Sequence, residues 1–255
     1  MLLKFLVYLM MLTITTASYA GVVINKTRVI YHENEGETVI QLLNKGISPV
    51  LTQSWIDYGD TTTKIESLKI PFILTPTVAR IDPNKGQAIR IMGINSNFPK
   101  NHESLLWLNV QEIPITPAKK IAAGDNLLQF SFRTRLKFFF RPTGLASTPE
   151  DALQQLSFEI TSGNNGNPKV VVNNPSPYYI TFRTISLRQN KDQASIAELD
   201  RSTERMVSPM SKLVLGLKAL GHNTTSQSDL KVFFTAINDQ GGDSRELSGR
   251  IVAKG

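Results

Sequence analysis

The chain is 255 residues long, 41% hydrophobic and 19% charged, with 28 Lys and Arg against 21 Asp and Glu. It has no cysteine, which excludes a disulfide framework and a thiolate metal site, so any fold must be held by its cores alone. The basic excess is scattered rather than blocked. That pattern reads as solvation plus one local cationic site and argues against a nucleic-acid partner.

The first twenty residues read as a secretory leader. Lys4 gives a positive start, Phe5 to Ile14 is an almost unbroken apolar run, and Ser18-Tyr19-Ala20 supplies small residues before Gly21. Cleavage is expected after Ala20, since the run is too short to span a bilayer comfortably. The remainder carries 27 basic and 21 acidic residues, a net of +6. Its length of about 235 residues suits two ordinary domains.

From Val22 onward, short apolar runs alternate with turn residues. Val22 to Ile24 and Val29 to Tyr31 flank a polar break holding Arg28, and Thr38 to Leu43 and Val50 to Ile56 follow. Pro71, Pro76 and Pro83 mark a turn-rich middle. Ala88 to Ile94 and the alternating Leu105 to Gln111 are further strands. Thr143 to Ser147 reads as a linker, and Thr148-Pro149-Glu150-Asp151 as the start of a helix of one or two turns. Strand patterning resumes at Leu156-Phe158-Ile160 and continues through Val170 to Val172, Tyr178 to Leu187, Leu213 to Leu217, Leu230 to Ile237 and Arg250 to Val252. The spacing predicts an all-β chain of two β-sandwiches in tandem. Its expected divisions are a leader over 1–20, a first domain over 21–143, a linker over 144–149 and a second domain over 150–255.

The chain is organised around 126–142, NLLQFSFRTRLKFFFRP, too long for an ordinary strand. Leu128, Phe130 and Phe132 alternate with Gln129, Ser131 and Arg133, the pattern of a strand with one buried apolar face. Lys137 lies within the aromatic run that follows. Such a strand must be covered by this chain or by a partner. Lys137 and Arg28 are cations embedded in apolar strands, which suits side chains that point into a cleft and wait for an anion.

Conventional catalytic signatures are absent. His32, His102 and His222 are far apart, and there is no G-x-S-x-G elbow, phosphate loop or dinucleotide turn. Asp57 and Asp60 read as solvated acids in a Tyr-Gly-containing turn. No metal, cofactor or small-molecule substrate is expected, and the chain does not read as an enzyme.

At these residues the sequence resembles the periplasmic pilus-assembly chaperones of the chaperone–usher pathway. The resemblance spans nearly the whole chain after the leader. It is carried by Thr27-Arg28-Val29-Ile30, Glu103-Ser104-Leu105, Asn109 to Pro114, Arg135 to Pro142, Asn174 to Tyr179 and Ile237-Asn238-Asp239. It implies two immunoglobulin-like domains set at an angle around a cleft, in a protein that acts in the periplasm. It further implies that a strand over Asn126–Lys137 is lent to pilin or fimbrial subunits whose own fold lacks one, with delivery to an outer-membrane usher. Leu128, Phe130 and Phe132 would enter the subunit, and Arg28 and Lys137 would hold its C-terminal carboxylate. Glu103, Arg141 and Asp239 match an interdomain charge network. Lys137 and the three apolar residues differ in parity, so a twist or bulge is expected between them. The 115–125 loop is long yet lacks the cysteine pair common in long-loop members, and Phe140 stands where tyrosine is frequent. Self-association through the unfilled edge is open. So is the alternative of a secreted two-domain immunoglobulin-like adhesin or binding module.

Overall fold

The computed structural model describes residues 21–94, 97–115, 128–163, 167–200, 202–220 and 230–252. The expected leader, most of the 115–125 loop, and Asn126 and Leu127 of the long stretch lie outside them.

The first domain holds β1 (Val22–Ile24), β2 (Arg28–His32), β3 (Glu37–Asn44), β4 (Val50–Asp57), β5 (Phe72–Thr75), β6 (Val78–Ile81), β7 (Gly86–Gly93), β8 (Ser104–Pro114) and β9 (Phe132–Arg141). Four strands in the order β1-β3-β7-β5 form one sheet, and five in the order β2-β9-β8-β4-β6 form the other. Period-2 alternation supplies the core between them. Ile40 and Leu42 of β3 and Ile89 and Ile91 of β7 meet Leu106 and Leu108 of β8 and Phe138 and Phe140 of β9. The turn-rich middle differs from expectation, because it contains β5 and β6. Its prolines border these short strands instead of interrupting them. Pro76 sits where the chain leaves one sheet for the other, a position that needs no ladder donor.

The long stretch also differs from expectation. The ladder begins only at Phe132, and residues 128–131 are outside any strand. β9 pairs antiparallel with β8 without interruption from Phe132↔Glu112 to Phe140↔Ser104. On its other side β9 pairs, in parallel, only with β2, from Lys137↔Arg28 to Arg141↔His32. Among the described residues, 132–136 are therefore bonded on one side alone.

After Arg141 the chain turns through Gly144 (φ 81°) into α1 (Pro149–Gln155). Thr148 caps α1 in a capping box with Asp151, and Pro149 opens its first turn, as the sequence pattern predicts. The second domain comprises β10 (Ser157–Ser162), β11 (Pro168–Asn174), β12 (Ile180–Arg188), β13 (Ala197–Leu199), β14 (Met206–Val207), β15 (Ser211–Ala219), β16 (Lys231–Ala236) and β17 (Leu247–Ile251). Its ladder runs β13-β15-β11-β10-β17-β16-β12-β14, and β13 also pairs with β12. That extra pairing closes the ladder around a core of Phe158, Phe182, Phe234 and their aliphatic neighbours. β13 and β14 have only three and two residues, too few to display a period, and the sequence did not reveal them.

Gly249 in β17 backs directly onto the ring of the fully buried Phe158, where an added Cβ would collide. Gly249→Ala is expected to destabilise the second domain by about 1–3 kcal/mol through overpacking. Chemical denaturation measures this, and a variant as stable as the parent would refute it.

Candidate functional site

The register of β9 divides its side chains between two environments. Leu136, Phe138 and Phe140 point into the first-domain core. Residues 133, 135, 137, 139 and 141 emerge on the opposite face of the sheet. The ladder is unbroken, so the expected bulge between Lys137 and Phe132 is absent. None is required, because the two sets belong to opposite faces of one strand.

Beyond the point where the core ends, no described residue of the core clusters packs on the apolar face. Leu128, Phe130 and Phe132 are 81%, 62% and 63% exposed. The rings of Phe130 and Phe132 lie 6.5 Å apart, forming one apolar ridge. The sequence pattern suggested a buried face, but among the described residues it is exposed. This ridge adjoins the half of β9 that has an unpaired edge.

Arg28 and Lys137 are paired residues of adjacent strands and lie side by side at the junction of the domains. Arg28 is buried, donates from Nη1 to the Ile237 carbonyl (3.2 Å) and faces the Phe139 ring at 5.7 Å. Lys137 Nζ lies 3.1 Å from Met206 Sδ and 6.0 Å from the Trp107 ring. Neither cation forms an ion pair among the described residues. Burial pushes the Arg28 pKa down, against the opposing charges of Asp239 and Glu103. Burial also lowers the Lys137 pKa, with Arg28 and Arg205 adding to the effect and Glu204 opposing it. Both side chains are therefore desolvated cations at the domain junction, with no ion-pair partner among the described residues.

One residue step beyond the β8–β9 ladder, Glu103 stands opposite Arg141. Arg141 Nε donates to Glu103 Oε1 (2.8 Å), while Nη1 and Nη2 donate to Asp239 Oδ2 (2.6 Å) and Oδ1 (2.9 Å) in a bidentate fork. The other Glu103 oxygen accepts from the Tyr179 N–H at 2.8 Å. The second domain thus contributes Asp239, Tyr179 and the Tyr178 ring, which lies 5.1 Å from the Arg141 guanidinium. The structure therefore assembles the three expected network residues across the domain boundary. Burial raises the Glu103 pKa against the pull of Arg141. Burial opposes ionisation of Arg141 too, but the bonds to Asp239 and Glu103 outweigh it and hold its pKa above the ordinary arginine range. The shifts thus differ in which effect wins. Desolvation dominates at the more deeply buried Glu103, and pairing dominates at Arg141. A cavity of about 440 Å³ opens beside the network, lined in part by Arg28, Arg141, Tyr179 and Asp239.

Asp57 corrects a sequence expectation. Asp60 is exposed and held at a pKa of about 2 by hydrogen bonds from Thr63 and Thr62. Asp57, instead of being solvated, is buried at the end of β4. Its Oδ1 accepts from Gly59 N–H (2.7 Å) and Arg135 Nη2 (3.0 Å), and its Oδ2 from Asn109 Nδ2 (2.8 Å) and Arg133 Nη2 (3.1 Å). These residues were missed as a group. The available signal was the alternate basic spacing Arg133, Arg135, Lys137 on the polar side of β9.

The comparisons with known proteins agree with this architecture. Residues 21–146 match the family model for the pili and flagellar-assembly chaperone PapD N-terminal domain, and 151–248 that for the pili assembly chaperone PapD C-terminal domain. The chain is 38% identical over 229 residues to the "Probable fimbrial chaperone YadV" of Escherichia coli (strain K12), covering 89% of each. It is 36% identical over 237 residues to the chaperone protein FimB/FhaD of Bordetella pertussis, covering 91% of this chain and 89% of the relative. The crystal structure of the YadV chaperone superposes with a TM-score of 0.70 at 37% identity, covering 91% of this chain and all of that one. Two domains of immunoglobulin-like sandwich, joined by a buried ion network, define the class. The chain belongs to the pili-assembly chaperone family.

Proposed function

We propose that the chain is a periplasmic chaperone that captures pilus or fimbrial subunits by strand addition and hands them to an outer-membrane usher. The observation that carries this reading is the half-paired β9, with an exposed apolar ridge on one face and two unneutralised cations at the end of its open edge. A subunit strand hydrogen-bonded to 132–136 would satisfy that edge, and a core lacking a strand would receive Leu128, Phe130 and Phe132. Burying each is worth roughly 1.5–3 kcal/mol before ordering costs.

A strand that ends at Arg28 and Lys137 would present its terminal carboxylate to both cations. The open part of β9 stops where β2 begins, so the incoming strand would continue the line of β2 and run parallel to β9. Glu103, Arg141 and Asp239 serve a structural role in this reading, fixing one domain against the other. The leader over 1–20, cut after Ala20, would direct export. The first domain over 21–143 would supply the donor edge, and the second over 150–255 would brace it through the linker at 144–149.

Phe130→Ser with Phe132→Ser tests the reading, because both side chains are exposed in the free protein. The double variant is expected to keep the parent's unfolding midpoint and to lose capture of a co-expressed subunit by at least about tenfold. Destabilisation of the chaperone itself would show that these residues belong to its own core.

A further inference from the structure

The start of the first domain gives leader removal a structural consequence, one that rests on the proposed cut after Ala20. β1 is a three-residue edge strand that pairs with β3 alone among the described residues. One bond ties it to the opposite sheet. The Val22 N–H donates to Oε2 of Glu112 in β8, at 2.9 Å. Gly21 lies against the same carboxylate, so closely that an added Cβ would collide with both oxygens. Standard bond lengths put the Gly21 nitrogen about 2.5 Å from that Cβ position, hence within about 5 Å of each oxygen. The Gly21 carbonyl accepts from the Lys45 N–H at 3.0 Å, which fixes the residue from its other end. Glu112 is half-buried and forms no ion pair among the described residues.

We infer that the Glu112 carboxylate is a binding site for the α-ammonium group that cleavage after Ala20 creates on Gly21. Before cleavage that nitrogen belongs to a neutral amide. Afterwards it is a cation inside the distance of about 4–6 Å over which opposite charges stabilise each other. Glycine permits the approach, because a side chain here would push the carboxylate away. Lys45 and Lys85, which flank the end of β3, are both exposed, so their opposition to a third cation is screened. The pair joins the two sheets where the donor ladder starts. Glu112 is the ladder partner of Phe132, and its carbonyl accepts from Ser131 Oγ at 2.7 Å. Leader removal thus locks β1 beside the first rung of β9, and a chain that keeps its leader lacks the charge for that lock.

The test uses the processed chain recovered from the periplasm of expressing bacteria, free of subunit. Intact mass and N-terminal sequencing establish where it starts. A first residue other than Gly21 overturns the inference together with the proposed cut and leaves strand addition standing. The α-amine pKa is then read from the pH dependence of its acylation. It is expected to lie above the ordinary range of about 7.7–8.0 and to return there in Glu112→Gln, whose side chain can still accept the Val22 N–H. Selective acetylation of the α-amine is expected to speed amide exchange of Val22 to Ile24 at least about tenfold and to lower the unfolding midpoint by about 2–4 °C. Glu112→Gln should show the same losses, and acetylating that variant should add nothing. A raised amine pKa stabilises the fold below the unfolded value, so the gap between free and acetylated chains should close as pH rises through the folded one. An amine that titrates in the ordinary range, or an acetylated chain with parental exchange in β1, overturns the inference. Additive losses from acetylation and Glu112→Gln also overturn it, since the carboxylate would then serve another cation, such as Lys119 or Lys120 of the following loop.

Discussion

Replacing Arg28 and Lys137 together by alanine is expected to abolish recovery of a chaperone–subunit complex while leaving the free chaperone at least as stable as the parent. The two halves of this result have one cause. Both cations are desolvated without an ion pair among the described residues, so each raises the free energy of the empty protein. The Lys137 pKa is lowered in the folded state, so the full cost of its charge applies at any pH below that lowered value. Truncation removes that cost, and the unfolding midpoint should hold or rise. A bound carboxylate would repay the same desolvation. Charge-assisted bonds of about 1.5–3 kcal/mol each imply that losing both weakens the complex by roughly two to four orders of magnitude.

The same reasoning fixes a pH dependence. A carboxylate beside Lys137 would return its pKa towards the ordinary lysine range, so binding takes up a proton in the window between the lowered and restored values. Affinity should fall as pH rises through the lowered pKa, and Lys137→Arg should flatten that decline. Co-purification from cells expressing chaperone and subunit tests the first claim, and titration across alkaline pH tests the second. A double alanine variant that still yields normal amounts of complex would refute the anchoring role.

How far the sequence could be read follows from how local each signal is. Leu128, Phe130 and Phe132 announced a one-sided strand, because a period of two needs no knowledge of the fold. What covers that face is not a local property, and the same pattern would describe a core strand. Their exposure distinguishes the two. Arg28 and Lys137 lie far apart in sequence yet are ladder neighbours, and only the family resemblance linked them. Asp57 shows the opposite failure. Its neighbours Tyr58, Gly59 and Asp60 advertise a turn, and turns are usually wet. Its burial depends on partners 52, 76 and 78 residues away, brought in by cross-strand register. The parity argument erred similarly. It treated opposite faces as a conflict, when one face serves the sandwich core and the other the domain junction.

Arg141→Ala is expected to cause the largest loss of stability among single changes at the domain junction. Glu103 is almost completely buried and would retain only the Tyr179 N–H as a charge-stabilising donor, while Asp239 would lose both arms of its fork. A buried acid left without its cation typically costs about 3–5 kcal/mol, which for a protein of this size lowers the midpoint by roughly 6–20 °C. Glu103→Gln should cost less, about 1–2 kcal/mol, since the amide oxygen still accepts one bond and no charge is stranded. Asp239→Ala should also be milder, because that carboxylate is 31% exposed and water can replace part of its role. Acid then separates a stranded charge from mere loss of packing. The Glu103 pKa is already raised by burial and must rise further without Arg141, so protonation relieves the stranded charge as pH falls through that value. The deficit of Arg141→Ala relative to the parent should therefore narrow in mild acid, whereas a deficit from lost stacking on Tyr178 would be independent of pH. Denaturant unfolding of the parent and three variants at neutral and mildly acid pH measures both. An Arg141→Ala protein within about 1 kcal/mol of the parent at neutral pH would show that the network does not hold the domains together.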